Sequence, residues 1–174
     1  MATLAAPMPG IRRGFLTIDA DSYPKSQSPD GLELDRAAAK AMRQFVERKG
    51  ATQDRNARLS ALLEKVAGFG NLLVGWNSRR SPAPTPPAIE AAGFLVRMMV
   101  EQDLEPTRLA PSAVGGVGVT RRAGERVAYV ECYNDGSVHA IFSDDKSEGE
   151  THRVRVDRPG VMHFLDRMGA YLNG

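Results

Sequence analysis

The chain has 174 residues, of which 42% are hydrophobic and 25% are charged, the composition of an ordinary globular domain. The 23 basic residues nearly balance the 21 acidic ones, which disfavours a dedicated nucleic-acid binder. The single cysteine, Cys132, excludes an intramolecular disulfide and a zinc site built on several thiolates. The sequence shows neither a secretory signal at its start nor a run of about 20 apolar residues, so we expect a cytoplasmic protein without membrane contact.

Two helices are predicted near the N-terminus. Residues 1–31 are rich in proline and glycine, and we expect them to form a mobile segment. Apolar residues then recur at intervals of three or four over 34–45 and over 59–66, the pattern of two amphipathic helices. Gly50 lies between them and is typical of a helix end. The pattern predicts a helical hairpin over 32–76, which also offers a surface for a homodimer.

A proline-rich break separates this hairpin from the rest of the chain. Residues 77–87 contain prolines too close together for a helix or a strand. Thr85 is a suitable N-cap and Pro86 a suitable first residue for a third helix, which we expect to end near Gln102.

After Pro106 the apolar period changes from 3.6 to 2, which indicates β-strands. Asn134-Asp135-Gly136-Ser137 is a strong hairpin signal, and a last amphipathic helix begins near Pro159. The alternating segments lie near residues 108–111, 117–119, 126–133, 138–142 and 152–156. The sequence therefore predicts an α+β fold, in which N-terminal helices precede an antiparallel β-meander of three to five strands and a C-terminal helix. We expect 77–174 to hold the third helix, the meander and the last helix, and 32–174 to form one compact domain.

No pattern identifies a catalytic residue, a metal site or a cofactor. Gly115, Gly116 and Gly118 precede a strand and no lysine follows them, which favours a tight turn over a phosphate loop. His139 and His152 could approach the acidic loop 144–150, but the spacing favours a solvated loop over a metal site. Cys132 falls on the apolar side of a strand, and we interpret it as a core residue.

The polar side of the predicted sheet is the candidate binding surface. Tyr129, Glu131 and Tyr133 share one face of the middle strand, and we expect several arginines to lie near them. Tyrosine and arginine are enriched in protein interfaces, and they also stack on single-stranded bases. Trp76, the sole tryptophan, is a further candidate contact, although such a residue more often pins a loop to the core. The arginines are Arg121, Arg122, Arg126, Arg153 and Arg155.

One stretch resembles a family of small uncharacterised bacterial proteins. Gly75-Trp76-Asn77-Ser78 is followed by a proline-rich loop, a helix and Pro111-Ser112-Ala113-Val114-Gly115-Gly116 before the meander with Asp135-Gly136. That family has a tryptophan after the Gly-Gly strand, where this chain has Val119-Thr120. The resemblance covers about residues 70–143 and implies a bacterial origin and an α+β module, with no activity or catalytic residue to carry over.

These observations favour a non-catalytic protein-interaction module of a bacterial cytoplasmic system, of the antitoxin, immunity or accessory-subunit type. The alternative is a nucleic-acid-binding protein that uses the arginines and tyrosines of the sheet or of the first helices. A third hypothesis is an enzyme of unrecognised type, whose acid and base groups only the fold brings together.

Overall fold

A computed structural model describes residues 29–144 and 149–174. It shows an α+β fold in which helix α1 precedes helix α2, a five-stranded antiparallel sheet and helix α3, which confirms the predicted class. The expectations for residues 1–28 and for 145–148 lie outside the described residues. The elements are α1 (Pro29–Gly68), a 3-10 turn (Phe69–Asn71), α2 (Pro86–Glu101), β1 (Arg108–Pro111), β2 (Gly116–Ala123), β3 (Arg126–Tyr133), β4 (Val138–Ser143), β5 (Thr151–Val154) and α3 (Arg158–Asn173).

The predicted helical hairpin is wrong, because α1 is one helix of 40 residues that passes through Gly50. A glycine ends a helix when it adopts a left-handed conformation, and Gly50 is not among the residues with positive φ. Inside a helix a glycine costs only about 1 kcal/mol relative to alanine. Lys49, Ala51 and Gln53 favour the helix on either side, so the helix continues through this position.

The chain divides into two compact units, Met1–Phe45 and Val46–Gly174, so the boundary falls inside α1 rather than at residue 32. In the first unit the described side chains belong to Arg36–Phe45 of α1, and all of them are exposed. The second unit contains the rest of α1, the sheet, α2 and α3.

The five strands follow one another across the sheet in chain order, each antiparallel to its neighbour. The hairpin between β3 and β4 is the one that the sequence predicts. Gly136 adopts a φ of 82° there, and its backbone N–H donates to the carbonyl oxygen of Tyr133. This turn sets the register of β3 and β4, in which Glu131 lies opposite His139.

Helices α2 and α3 pack against the same face of the sheet, which we call the inner face. Every second residue of the central strands points into this core, and α2 and α3 contribute their own buried side chains. The remaining part of α1 joins the core through Val66 and the partly buried Leu59, Leu62 and Leu63. The strand residues of the core are Leu109, Val117, Val119, Ala128, Val130, Cys132, Val138, Ala140 and Val154.

Within the described residues, no helix is both long enough and apolar enough to cross a membrane.

Candidate interaction surfaces

The outer face of the sheet, opposite α2 and α3, carries the alternate residues of each strand. Tyr129, Glu131 and Tyr133 of β3 lie on it, as the two-residue period predicts. His139 lies beside them on β4, with Arg153 next to it on β5. Tyr129, Tyr133 and His139 are half-buried, so their rings remain partly accessible.

Glu131 is the buried centre of the outer face, with only 6% of its surface exposed. The Tyr129 hydroxyl donates a hydrogen bond to Oε2 of Glu131, whereas Oε1 is buried and has no hydrogen-bond partner among the described residues. Burial and the bond to Glu131 raise the pKa of Tyr129 above its usual value, so its hydroxyl is a donor at neutral pH. A buried carboxylate is costly unless it accepts hydrogen bonds, and Tyr129 supplies one.

Gly118 makes room for this pair. It lies directly opposite Glu131 on β2, and a Cβ at this position would lie 2.8 Å from the Tyr129 hydroxyl oxygen. A Cβ at residue 118 would push the end of the Tyr129 side chain aside, so glycine at this position lets the tyrosine ring lie against the β2 backbone.

Tyr133 and His139 complete the arrangement. Their rings meet edge to face, with centroids 5.4 Å apart and an angle of 87° between the planes. We call Tyr129, Glu131, Tyr133 and His139 the aromatic cluster. Sequence reasoning did not include His139 in this surface, although its register could be found by counting outward from the Asp135-Gly136 turn.

Two of the five predicted arginines lie on the other side of the sheet. Arg121 is paired in register with the buried Ala128, and its Nη1 donates to the carbonyl oxygen of Glu105 at 2.9 Å. Nη1 of Arg126 donates to the carbonyl oxygen of Tyr171, in the last turn of α3, also at 2.9 Å. Arg121 therefore binds the connection between α2 and β1, and Arg126 binds the end of α3. The expectation that these two arginines lie near Tyr129 and Tyr133 is wrong.

Arg122 and Arg153 are exposed on the outer face, as expected. Arg155 follows β5 and forms an ion pair with Asp157, whose Oδ1 accepts the backbone N–H of Gly160 at 2.7 Å. Asp157 thereby caps α3, and Arg155 is held at the start of that helix.

Trp76 is half-buried in the loop before α2, and its buried indole nitrogen has no hydrogen-bond partner within 29–144 and 149–174. The loop is closed by a hydrogen bond of 2.8 Å from the backbone N–H of Gly75 to the carbonyl oxygen of Ser81. Leu73 and Val74 beside it are exposed by 80% and 77%.

The first compact unit exposes apolar side chains on α1. Met42 is 65% exposed and Phe45 is 61% exposed. Arg36, Lys40 and Arg43 are exposed on the same stretch, which contains no acidic residue between positions 36 and 45. An amphipathic helix with an uncovered apolar side is typical of a segment that packs against another helix.

Cys132 and the histidines were the sequence candidates for a nucleophile and a metal site. Cys132 is fully buried, as predicted, and burial followed by the charge of Glu131 raises the pKa of its thiol to about 12. His139 and His152 point to opposite faces of the sheet, because His152 is in register with the buried Ala140. Over 29–144 and 149–174, no three His, Cys, Asp or Glu side chains are grouped so that they could hold a metal ion.

Comparisons of the chain with protein-family models, with curated proteins and with solved structures found no match.

Proposed function

We propose that this chain is a non-catalytic protein-interaction module that binds its partner through the outer face of the sheet. The observation that carries the proposal is the aromatic cluster. Its tyrosine and histidine rings are partly accessible, while the buried Tyr129–Glu131 bond and the Tyr133–His139 contact hold them in place. Large aromatic side chains that are already ordered bind a partner with little loss of conformational entropy.

The distribution of charge favours a protein partner over a nucleic acid on this face. Arg121 and Arg126 are engaged on the inner side, and Arg155 is paired with Asp157. Arg108, Arg122 and Arg153 lie at the periphery of the outer face, where the carboxylate of Glu131 occupies the centre. A polyanion gains little from peripheral cations around a central anion.

The resemblance to small bacterial proteins supports a role in a bacterial cytoplasmic system, as an antitoxin, an immunity factor or an accessory subunit. In this proposal α1 is a second contact. Met42 and Phe45 provide an exposed apolar side through which two copies of the chain associate. Sedimentation of the intact chain measures this directly. We expect the unmodified chain to be a dimer and Phe45→Glu to be a monomer. If the unmodified chain is a monomer at all concentrations, α1 is not a dimer contact and only the sheet surface remains in the proposal.

The proposal is tested by recovering partners of the tagged full chain from a lysate of its native host, with and without nuclease. Tyr133→Ala removes one accessible ring of the aromatic cluster, and we expect it to abolish recovery of a stoichiometric protein partner. Arg158→Ala is the control, because Arg158 is exposed and pairs only loosely with Glu101 at 3.5 Å. Circular dichroism and thermal unfolding of both variants test whether the fold is retained.

Recovery that survives nuclease and is lost only in Tyr133→Ala supports the module. If nuclease treatment abolishes recovery of the partner, the chain binds nucleic acid instead. The basic residues of α1 are then the candidate surface. Equal recovery by both variants would contradict the outer face as the binding surface.

A further inference from the structure

The carboxylate of Glu131 lies within the aromatic cluster without a cation beside it. One of its oxygens, Oε2, accepts the Tyr129 hydroxyl. The other, Oε1, is buried and accepts no hydrogen bond within the described residues, although an ionised carboxylate can accept about four. Glu131 also forms no ion pair in this part of the chain. The cluster therefore holds a buried negative charge that the described residues leave without a counter-charge.

Three partly accessible rings lie next to this carboxylate. Tyr129 is hydrogen-bonded to it, and His139 lies directly opposite Glu131 on β4, a pairing that brings Cβ atoms to about 5 Å. The Tyr133 ring contacts the His139 ring edge to face. A cation that rests on these rings is attracted by their π-electrons and by the carboxylate next to them.

The Tyr133 end of the cluster is the end farther from two of the peripheral arginines. Arg108 lies in the same row of the sheet as Tyr129, and Arg122 is paired with the residue two positions before Tyr129. Tyr133 lies four residues farther along β3, about 13 Å along the strand. Salt at 0.1 M screens exposed charges over about 10 Å, so these arginines repel a cation at Tyr133 only weakly.

The third peripheral arginine, Arg153, lies next to His139 but also beside an acidic residue. Hydrogen bonds from Ser137, and in smaller part the charge of Arg153, lower the pKa of the Asp135 carboxyl. The Asp135 carboxylate therefore offsets part of the positive charge of Arg153 at this end of the cluster.

We propose that the protein partner places an arginine side chain on the Tyr133 and His139 rings, close to the Glu131 carboxylate. This inference rests on the proposed function, because it names the group by which the outer face recognises its partner. Since Oε1 is buried, a cation on the rings gains more from stacking than from a direct ion pair. A guanidinium is planar, weakly hydrated and stacks on aromatic faces, whereas the ammonium of a lysine is a strongly hydrated point charge.

Small probes test the inference without an identified partner. The full chain is titrated with N-acetyl-arginine methylamide at constant ionic strength and followed by NMR. The matched probe is N-acetyl-citrulline methylamide, which has a similar shape and no charge. We expect the arginine probe to shift the amide signals of 131–133 and 138–140, and to bind about tenfold more tightly than the citrulline probe. The corresponding lysine probe should bind more weakly than the arginine probe.

Glu131→Gln removes the charge and keeps an oxygen that can accept the Tyr129 hydroxyl. We expect it to bind the arginine probe about tenfold more weakly. Glu125→Gln is the matched control, because it removes the same charge from the exposed turn between β2 and β3, and it should bind as the unmodified chain does. If Glu131→Gln does not fold, Tyr133→Ala removes one of the rings instead and should weaken binding of the arginine probe in the same way.

The recovery experiment separates this inference from the proposed function. We expect Glu131→Gln to lose the protein partner as Tyr133→Ala does, and Glu125→Gln to retain it. If only Tyr133→Ala loses the partner, the outer face binds a protein but the arginine inference is wrong. Whether or not a partner is recovered, equal binding of the arginine and citrulline probes, or tighter binding of the lysine probe, would overturn the inference.

Discussion

The two faces of the sheet use the same strands for different purposes. On the inner face, Val117, Val130 and Cys132 are packed under α2 and α3 and present no polar group that requires a partner. On the outer face, the same strands bury a carboxylate, Glu131, and hold it with a tyrosine. Apolar burial stabilises a fold without selecting a partner, whereas an ordered polar and aromatic surface adds little stability and much specificity. The inner face therefore supplies most of the apolar burial, and the outer face is the one that we propose for recognition.

The inner face can be tested by removing one core side chain. Leu165 of α3 is 1% exposed, and Leu165→Ala should lower the free energy of unfolding by about 3 kcal/mol because it leaves a cavity. Urea denaturation measures this loss. Leu73→Ala is the control, since Leu73 is 80% exposed and the change should stay within about 0.5 kcal/mol. Similar losses in the two variants would contradict the division between a packed core and an exposed surface.

The outer face can be tested by breaking the pair at its centre. Tyr129→Phe removes the one hydrogen bond that the buried Glu131 carboxylate accepts within the described part of the chain, and should cost about 2 kcal/mol of unfolding free energy. Adding Glu131→Leu should recover more than half of this loss, because both polar partners are then gone. Tyr133→Phe is the control, since no hydrogen bond of its hydroxyl is found in the described residues. Additive losses from Tyr129→Phe and Glu131→Leu in urea denaturation would show that the pair is not coupled.

The burial of Cys132 on the inner face predicts that the free energy of unfolding depends on pH in the alkaline range. Burial raises the pKa of the Cys132 thiol from 9.0 to about 12. The folded chain therefore keeps a proton that the unfolded chain loses, so stability is full below pH 9 and falls as pH rises toward 12. This group contributes a slope of about 1 kcal/mol per pH unit, which Cys132→Ala should remove. Urea denaturation between pH 8 and about 10.5 compares the two slopes, and identical slopes would refute the contribution of Cys132.

Local patterns were sufficient to predict most of the fold. The two-residue period gives β1 and β3 with their observed bounds, Arg108–Pro111 and Arg126–Tyr133. The helix start at Pro86 and the Asp135-Gly136 turn were predicted in the same way. Gly50 misled the prediction because composition alone does not tell a glycine in a helical conformation from one in a left-handed cap.

Only part of the candidate surface could be predicted from the sequence. Arg121 lies two residues after Val119 on β2, so strict alternation of side chains would have placed it on the inner side with Val119. The burial of Glu131 could not be predicted, because it depends on a cross-strand contact between Tyr129 and Gly118.

Among the residues that the structure describes, the linear order of the strands leaves β1 and β5 with one unpaired backbone edge each. Such edges are templates for the strands of other molecules, and long apolar ones promote aggregation. Both edges here are short, at four residues. The first ends in Pro111, which has no N–H to offer, and the second carries the charged Arg153. In the function that we propose, the chain displays a large sheet surface to a partner while these edges resist uncontrolled sheet growth.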